Sequence, residues 1–349
     1  MLKNNLDIRF KKFKDSIINN KYKFGKYWEK EKTTFEVDFK DGLFNSKGSR
    51  DYLPRIFDES IIDDEIVPIN GKKFVQLGEK KLCTLKNSGS RHLLHLSHYF
   101  HEIKKIIKDN DICLDVGSGS GLLQFIIHQN KRTTNIFIDL PESIQSSIAL
   151  CFTLFPDSKI ILPNEINGEG YLNIRDYDFI FLFPNQKHLI KNSSVNFCVN
   201  TQSFMEMDIH EVNDYIKYFN NILKTEGYCL ISNRVVKRTY FFSYNFKKTS
   251  FKKIYLKKDN YYYSKENYQQ SSVLNLLLKK KEGSHFSFNL FNFIFGIFYL
   301  KPREFFFLEQ ILFKKKNFVS PSINKKVFYK TEGNEIIKSC GVFCKNGVK

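Results

Sequence analysis

Seven residues in the middle of the chain, Asp115-Val116-Gly117-Ser118-Gly119-Ser120-Gly121, follow a short apolar run and open an apolar helical pattern. Glycines between a strand and a helix permit a sharp turn and let a ligand approach bare backbone. The first turn of the helix then offers unpaired N–H groups to a negatively charged group. Spacing separates the cofactor classes: a dinucleotide fingerprint, G-x-G-x-x-G, needs glycine at 122, where this chain has Leu122. D-x-G-x-G-x-G instead suits S-adenosyl-L-methionine, which has a methionine carboxylate and no pyrophosphate. Asp139 closes the next strand pattern, 22 residues past Gly117, where a carboxylate can accept both ribose hydroxyls.

Beyond the turn lie residues that can act on an acceptor. A hydroxyl nucleophile needs a general base within hydrogen-bond reach, and in an open α/β sheet such groups converge beyond the C-terminal ends of the strands. Glu206 is the expected base, with Asp208 and His210 as competitors; an acid at this point can equally be a first-turn helix residue favoured by the dipole. Arg234 follows the next strand and can clamp a phosphate or carboxylate. His92, His95, His98 and His101, spaced by three, rotate around half a helix and cannot share one metal, so no metal is expected. One of these or His188 is a further candidate base.

The elements that must position these groups alternate. Helical spacing covers Leu93–Lys108, Leu122–Gln129, Ser143–Phe155 and Asp208–Leu223, and Pro141 and Glu142 mark the start of the third of these. Strand patterns fall at Ile112–Val116, Asn135–Leu140, Ser158–Leu162, Asp178–Phe183, Val195–Asn200 and Gly227–Ser232. This predicts an α/β fold, a Rossmann-like doubly wound and mostly parallel sheet with helices on both faces. Between Phe155 and Val195 there are two strand candidates where the simple pattern needs one. Residues 1–90 are expected as an N-terminal extension packed on a domain spanning 91–349, within which 237–325 forms a basic, aromatic insertion or cap. Final strands are expected at Lys326–Lys330 and Gly341–Lys345.

Segment 112–234 resembles the sugar O-methyltransferase family found in surface-polysaccharide gene clusters, a group of class I S-adenosylmethionine-dependent methyltransferases. The resemblance is carried by the Gly-rich turn, Ile138-Asp139-Leu140-Pro141-Glu142, Asn200-Thr201-Gln202-Ser203-Phe204-Met205-Glu206-Met207 and Asn233-Arg234, about a third of the chain. It implies O-methylation of a sugar hydroxyl on a nucleotide-linked or lipid-linked polysaccharide precursor, in the cytoplasm. The expected cofactor set is Asp115, Gly117, Ser118, Gly119, Gly121, Asp139, Leu140, Asn185, Asn200 and Thr201; Ser203, Asn233 and Arg234 are expected at the acceptor.

A formal charge of +18 over 349 residues invites an anionic partner. Lys, Asn, Ile, Phe and Tyr are abundant together, as an AT-biased coding sequence produces whatever the function, and no nucleic-acid motif accompanies the charge. A nucleic-acid acceptor is therefore disfavoured. The Asn/Asp/Ser-Pro-Pro-aromatic block of base N-methylation is absent at 200–204, which leaves ribose O-methylation as the first alternative and a catalytically silent partner in glycan assembly as the second. Lys247, Lys248, Lys252 and Lys253 are expected to meet an anionic acceptor. The seven cysteines include no C-x-x-C pair and read as core thiols in a reducing compartment. No apolar signal segment opens the chain. Phe286–Leu300 is too short to span a membrane and is expected to be buried, a membrane-surface contact being its second reading. Oligomeric state is not legible.

Overall fold

The computed structural model describes residues 2–19, 36–40, 43–47, 96, 99–168, 170–259, 272–300 and 308. In chain order the elements that matter are α1 (Leu2–Asn19), β1 (Glu36–Lys40), β2 (Leu43–Lys47), β3 (Ile112–Val116), α2 (Leu122–Lys131), β4 (Thr134–Ile138), α3 (Pro141–Leu154), β5 (Ile160–Ile161), β6 (Phe179–Leu182), β7 (Val195–Thr201), α4 (Ile209–Ile222), β8 (Leu223–Arg234), β9 (Phe251–Lys258), β10 (Val273–Lys280) and α5 (Leu290–Phe295). Strands β3 to β10 form one eight-stranded sheet in the order β5-β6-β4-β3-β7-β8-β10-β9. The first six in that order run parallel; β10 pairs antiparallel with both β8 and β9, so it alone is reversed and β9 keeps the direction of the six. The mixed α/β, Rossmann-like class expected from the sequence is the one found.

Strand β3 shows why the sheet takes this form. All five of its residues are buried, because helices cover both faces of a central parallel strand. Leu123, Phe125 and Ile126 of α2 and Ile144 and Ile148 of α3 pack on one face, while Val212, Ile216, Phe219 and Ile222 of α4 pack on the other. The α4 residues recur at spacings of three and four, one apolar stripe of a helix. Cys113, Cys198 and Cys229 are free and buried within strands, as small core residues.

Chain order reverses between β3 and β7: the chain works outward from β3 through β4, then returns to pair β7 on the other side. At such a switch point the loops leaving the two strands part, and a crevice opens beyond their C-terminal ends.

Three expectations change. Both strand candidates between 155 and 195 join the sheet, the first shrunken to the two-residue edge β5. The region expected as an insertion or cap instead supplies β9 and β10, which complete the sheet. Val273–Leu278 of β10 is buried throughout, whereas β9 exposes Lys252, Lys253, Lys257 and Lys258, charges that blunt a free sheet edge. In Phe286–Leu300, Phe286, Phe288, Phe293, Ile297 and Leu300 pack against the α4-side core, but Phe291, Ile294 and Phe298 are exposed, so burial is one-sided. The strands expected at 326–330 and 341–345 lie outside the described residues. Of the N-terminal extension, α1 buries Leu6, Phe10 and Phe13 in the α2–α3 core, and Arg9 forks onto Glu165 at 2.6 and 2.7 Å. Among the described residues no helix is long and apolar enough to cross a membrane.

Candidate cofactor and acceptor site

The Gly-rich turn leaves β3 at the switch point. The Gly117 N–H donates to the Ile138 carbonyl at 2.8 Å, which ties the turn to the end of β4. Gly117 has φ 68°, and a β-carbon there would lie 1.8 Å from Ser203 Oγ. Glycine is therefore required both by conformation and by the closeness of the loop that follows β7. At Gly119 a β-carbon would meet nothing within 4 Å, so this part of the turn borders open space.

Asp139 joins the two cofactor elements. Its Oδ2 accepts the Gly119 N–H at 2.7 Å and its Oδ1 the Leu140 N–H at 2.7 Å. Burial pushes its carboxyl up from the ordinary 3.8 to about 7; the two N–H donors oppose the rise, and the charges of Glu206 and Glu142 add to it. Asp115, 2 % exposed, is raised well above the carboxylate range by burial and then by Asp139. Asp115 Oδ1 and Ser118 Oγ are buried without a hydrogen-bond partner. Crowded acids and unsatisfied polar atoms favour a cationic ligand that brings hydrogen-bonding groups. S-adenosylmethionine, with its sulfonium, ammonium and ribose hydroxyls, fits that chemistry.

The acceptor side is built by the loops after β7 and β8. Glu206 lies in a short 3₁₀ turn, Phe204–Glu206, and its Oε1 accepts from Lys237 Nζ at 2.5 Å. Its charge adds a little to the rise at Asp139, so the two carboxylates lie at the same end of the sheet. Asp208 has a different task. It caps α4, with its own N–H held by Glu211 at 3.3 Å, and its Oδ1 takes Arg238 Nε and Nη2 at 3.0 and 2.7 Å. His210 is exposed in the first turn of α4. Arg234 ends β8 half-buried, with a buried Nε that has no partner. Thr201 ends β7, and Asn185 is exposed just beyond β6, at the same end of the sheet.

Asn200 and Asn233, expected to touch cofactor and acceptor, are wholly buried, and their hydrogen bonds go to the protein. Asn200 Nδ2 donates to the Val116 carbonyl at 2.7 Å, and its Oδ1 accepts from Phe204 N and Asn233 Nδ2.

The sequence did not disclose Lys237 and Arg238, although they stand just beyond Asn233-Arg234. It also missed the buried chain in which the Tyr99 hydroxyl meets Ser232 Oγ at 2.5 Å and Ser232 donates to Asn275 at 2.6 Å.

Of the histidine row, His92, His95 and His98 lie outside the described residues. His101 contacts Lys104 at 3.1 Å in a groove of about 790 Å³ lined also by Lys105, Lys108 and Lys131. That groove lies by the N-terminal ends of β3 and β4, away from the turn. His188 is exposed, its ring on the Asn185 carbonyl. Among the described residues no group of His, Cys, Asp and Glu is placed to hold a metal. Lys252 and Lys253, expected at the acceptor, pair with Lys279 and Leu278, while the Arg234 end of β8 pairs with Val273. They sit at the opposite end of the strands from Glu206.

No family model matches the chain, and no curated protein matches it. Solved structures do. A geranyl diphosphate methyltransferase in complex with GPP and sinefungin aligns at 12% identity over 56% of this chain and 81% of that one, with TM-score 0.39. An S-adenosylmethionine-dependent methyltransferase from Aquifex aeolicus aligns at 12% identity over 52% and 88%, with TM-score 0.33. The YcgJ protein of Bacillus subtilis aligns at 11% identity over 54% and 99%, with TM-score 0.35. What the site can do is set by its own residues.

Proposed function

We propose that this chain is an S-adenosylmethionine-dependent O-methyltransferase acting on a sugar hydroxyl of a nucleotide-linked or lipid-linked glycan precursor. The observation that carries the cofactor assignment is the 2.7 Å bond from Gly119 N to Asp139 Oδ2, which brings the glycine turn and the carboxylate together. Bound there, the cofactor supplies an electrophilic methyl group on sulfur. Asp139 and Leu140 hold its ribose end, and Ser118 and the bare backbone of Gly119 border the rest.

A carboxylate at the same end of the sheet supports a hydroxyl acceptor. A sugar hydroxyl is a poor nucleophile until a base takes its proton. Glu206 is the base in this scheme; Lys237 holds Oε1, which orients the carboxylate and leaves Oε2 for the acceptor proton. Arg234, with its unsatisfied Nε, suits a phosphate or carboxylate on the acceptor. The sugar itself is supported by the resemblance of Asn200–Met207 and Asn233-Arg234 to the sugar O-methyltransferase family. Position speaks against a nucleic-acid acceptor, since the cationic groove lies away from the pocket. Incubation with labelled S-adenosylmethionine and a panel of nucleotide sugars tests the proposal. Label is expected in a sugar methyl ether; label in RNA, or in no acceptor while the cofactor binds, would overturn the acceptor assignment.

A further inference from the structure

We propose that Asn200 and Asn233 form a buried carboxamide clamp that fixes the loop bearing Glu206 against the cofactor turn, and are positioning residues rather than ligand contacts. The inference rests on the methyltransferase reading only for its catalytic consequence; the clamp itself is a property of the free protein.

The hydrogen bonds run in one connected set. Asn200 stands on β7 and donates across to the carbonyl of Val116, the residue immediately before Gly117, at 2.7 Å. Its Oδ1 accepts Phe204 N at 3.2 Å and Asn233 Nδ2 at 2.8 Å. Asn233, on β8, completes the set by accepting Met205 N at 3.1 Å. Two carboxamides thus hold the last residue of β3 and the two backbone N–H groups directly preceding Glu206. Both side chains are fully buried, where each of these polar backbone groups needs a protein partner. Two further contacts set the same spacing: Gln202, at φ 58°, donates its N–H to the Ser232 carbonyl at 2.7 Å, and Ser203 Oγ fills the space that a side chain at 117 would take. Donor and acceptor are matched throughout, so an ionised carboxylate of the same shape cannot substitute: it lacks the N–H for Val116 or for Asn200.

Amide hydrogen exchange on the free protein reads the clamp without any ligand. In Asn233→Asp, which keeps the acceptor for Met205 but loses the donor to Asn200, exchange at Phe204, Met205 and Glu206 is expected to rise about tenfold. A rise of the same order is expected across residues 117–121, with the α4 amides unchanged. Asn200→Asp is expected to do the same with the larger effect at 117–121. Calorimetry with S-adenosylmethionine should then show weaker affinity in both variants. Should neither fold, Ser203→Gly probes the same coupling by loosening the Gly117 contact alone, and faster exchange on both sides of that contact is expected. Exchange that rises only near the mutated residue, with the other side unchanged, would overturn the clamp. Wild-type protein that shows coupled exchange yet binds no S-adenosylmethionine would leave the clamp standing and overturn the cofactor assignment.

Discussion

The two ends of the parallel strands arrange their charges differently. At the C-terminal end Asp115, Asp139, Glu142 and Glu206 lie near one another; burial raises the carboxyls of Asp115 and Asp139, and neighbouring acids add to the rise. At the N-terminal end Lys104, Lys105, Lys108 and Lys131 line an open groove, and Lys252 and Lys253 begin the exposed edge strand. A net charge of +18 therefore describes the surface and not the site. A positive molecule has gathered buried carboxyls at one end of its sheet, with Lys237 and Arg238 paired to the neighbouring Glu206 and Asp208.

The sharpest way to break the contrast is to block the pocket itself. Gly117→Val places branched atoms where Ser203 already stands, at a positive φ that valine does not adopt. S-adenosylmethionine binding is expected to vanish in calorimetry, with a loss of about 2 kcal/mol or more in unfolding free energy from strain and overpacking. Next in size is the chemistry. Glu206→Gln removes the proposed base and is expected to lower kcat by about 10² to 10⁴ while cofactor affinity changes little; full turnover would remove Glu206 from the mechanism. Smallest is the other end of the molecule. Replacing Lys104, Lys105, Lys108 and Lys131 together by Gln is expected to leave cofactor affinity within about twofold, since these surface charges are screened over the distance to the turn. A larger effect would mean that the two ends are not electrically independent.

Stability should follow the pocket as well. Asp139 holds its proton in the folded state up to about pH 7 but would lose it near 3.8 when unfolded. The folded protein thus binds the extra proton between those values, so its unliganded stability falls as pH rises through that window. Thermal melts of Asp139→Asn should lack this slope.

Legibility followed locality. The turn, Asp139 and the strands around them are written in contiguous residues, since glycines packed between an apolar run and a helical pattern mark a tight turn and little else. Strands β9 and β10 were hidden because lysines and aromatics surround them, and the buried run Val273–Leu278 acquires its partner β8 only in three dimensions. The tasks of Asp208 and of the two asparagines were equally hidden. Arg238 lies 30 residues from Asp208, and Asn233 33 from Asn200. An asparagine next to a motif looks the same whether it faces a ligand or a backbone carbonyl.

In the proposed enzyme the Asp139 carboxylate and the glycine turn together bind the nucleoside of S-adenosylmethionine. Calorimetry with this cofactor, on wild type and Asp139→Asn between about pH 5.5 and 8.5, tests that role directly. A carboxylate that must be ionised to accept ribose hydroxyls, and that titrates near 7, should make wild-type affinity rise with pH. At pH 6 binding should be about tenfold weaker than on the plateau, and the variant should bind weakly with a flat profile. No heat of binding in the wild type at any pH, or equal affinity and equal pH dependence in both proteins, would contradict it.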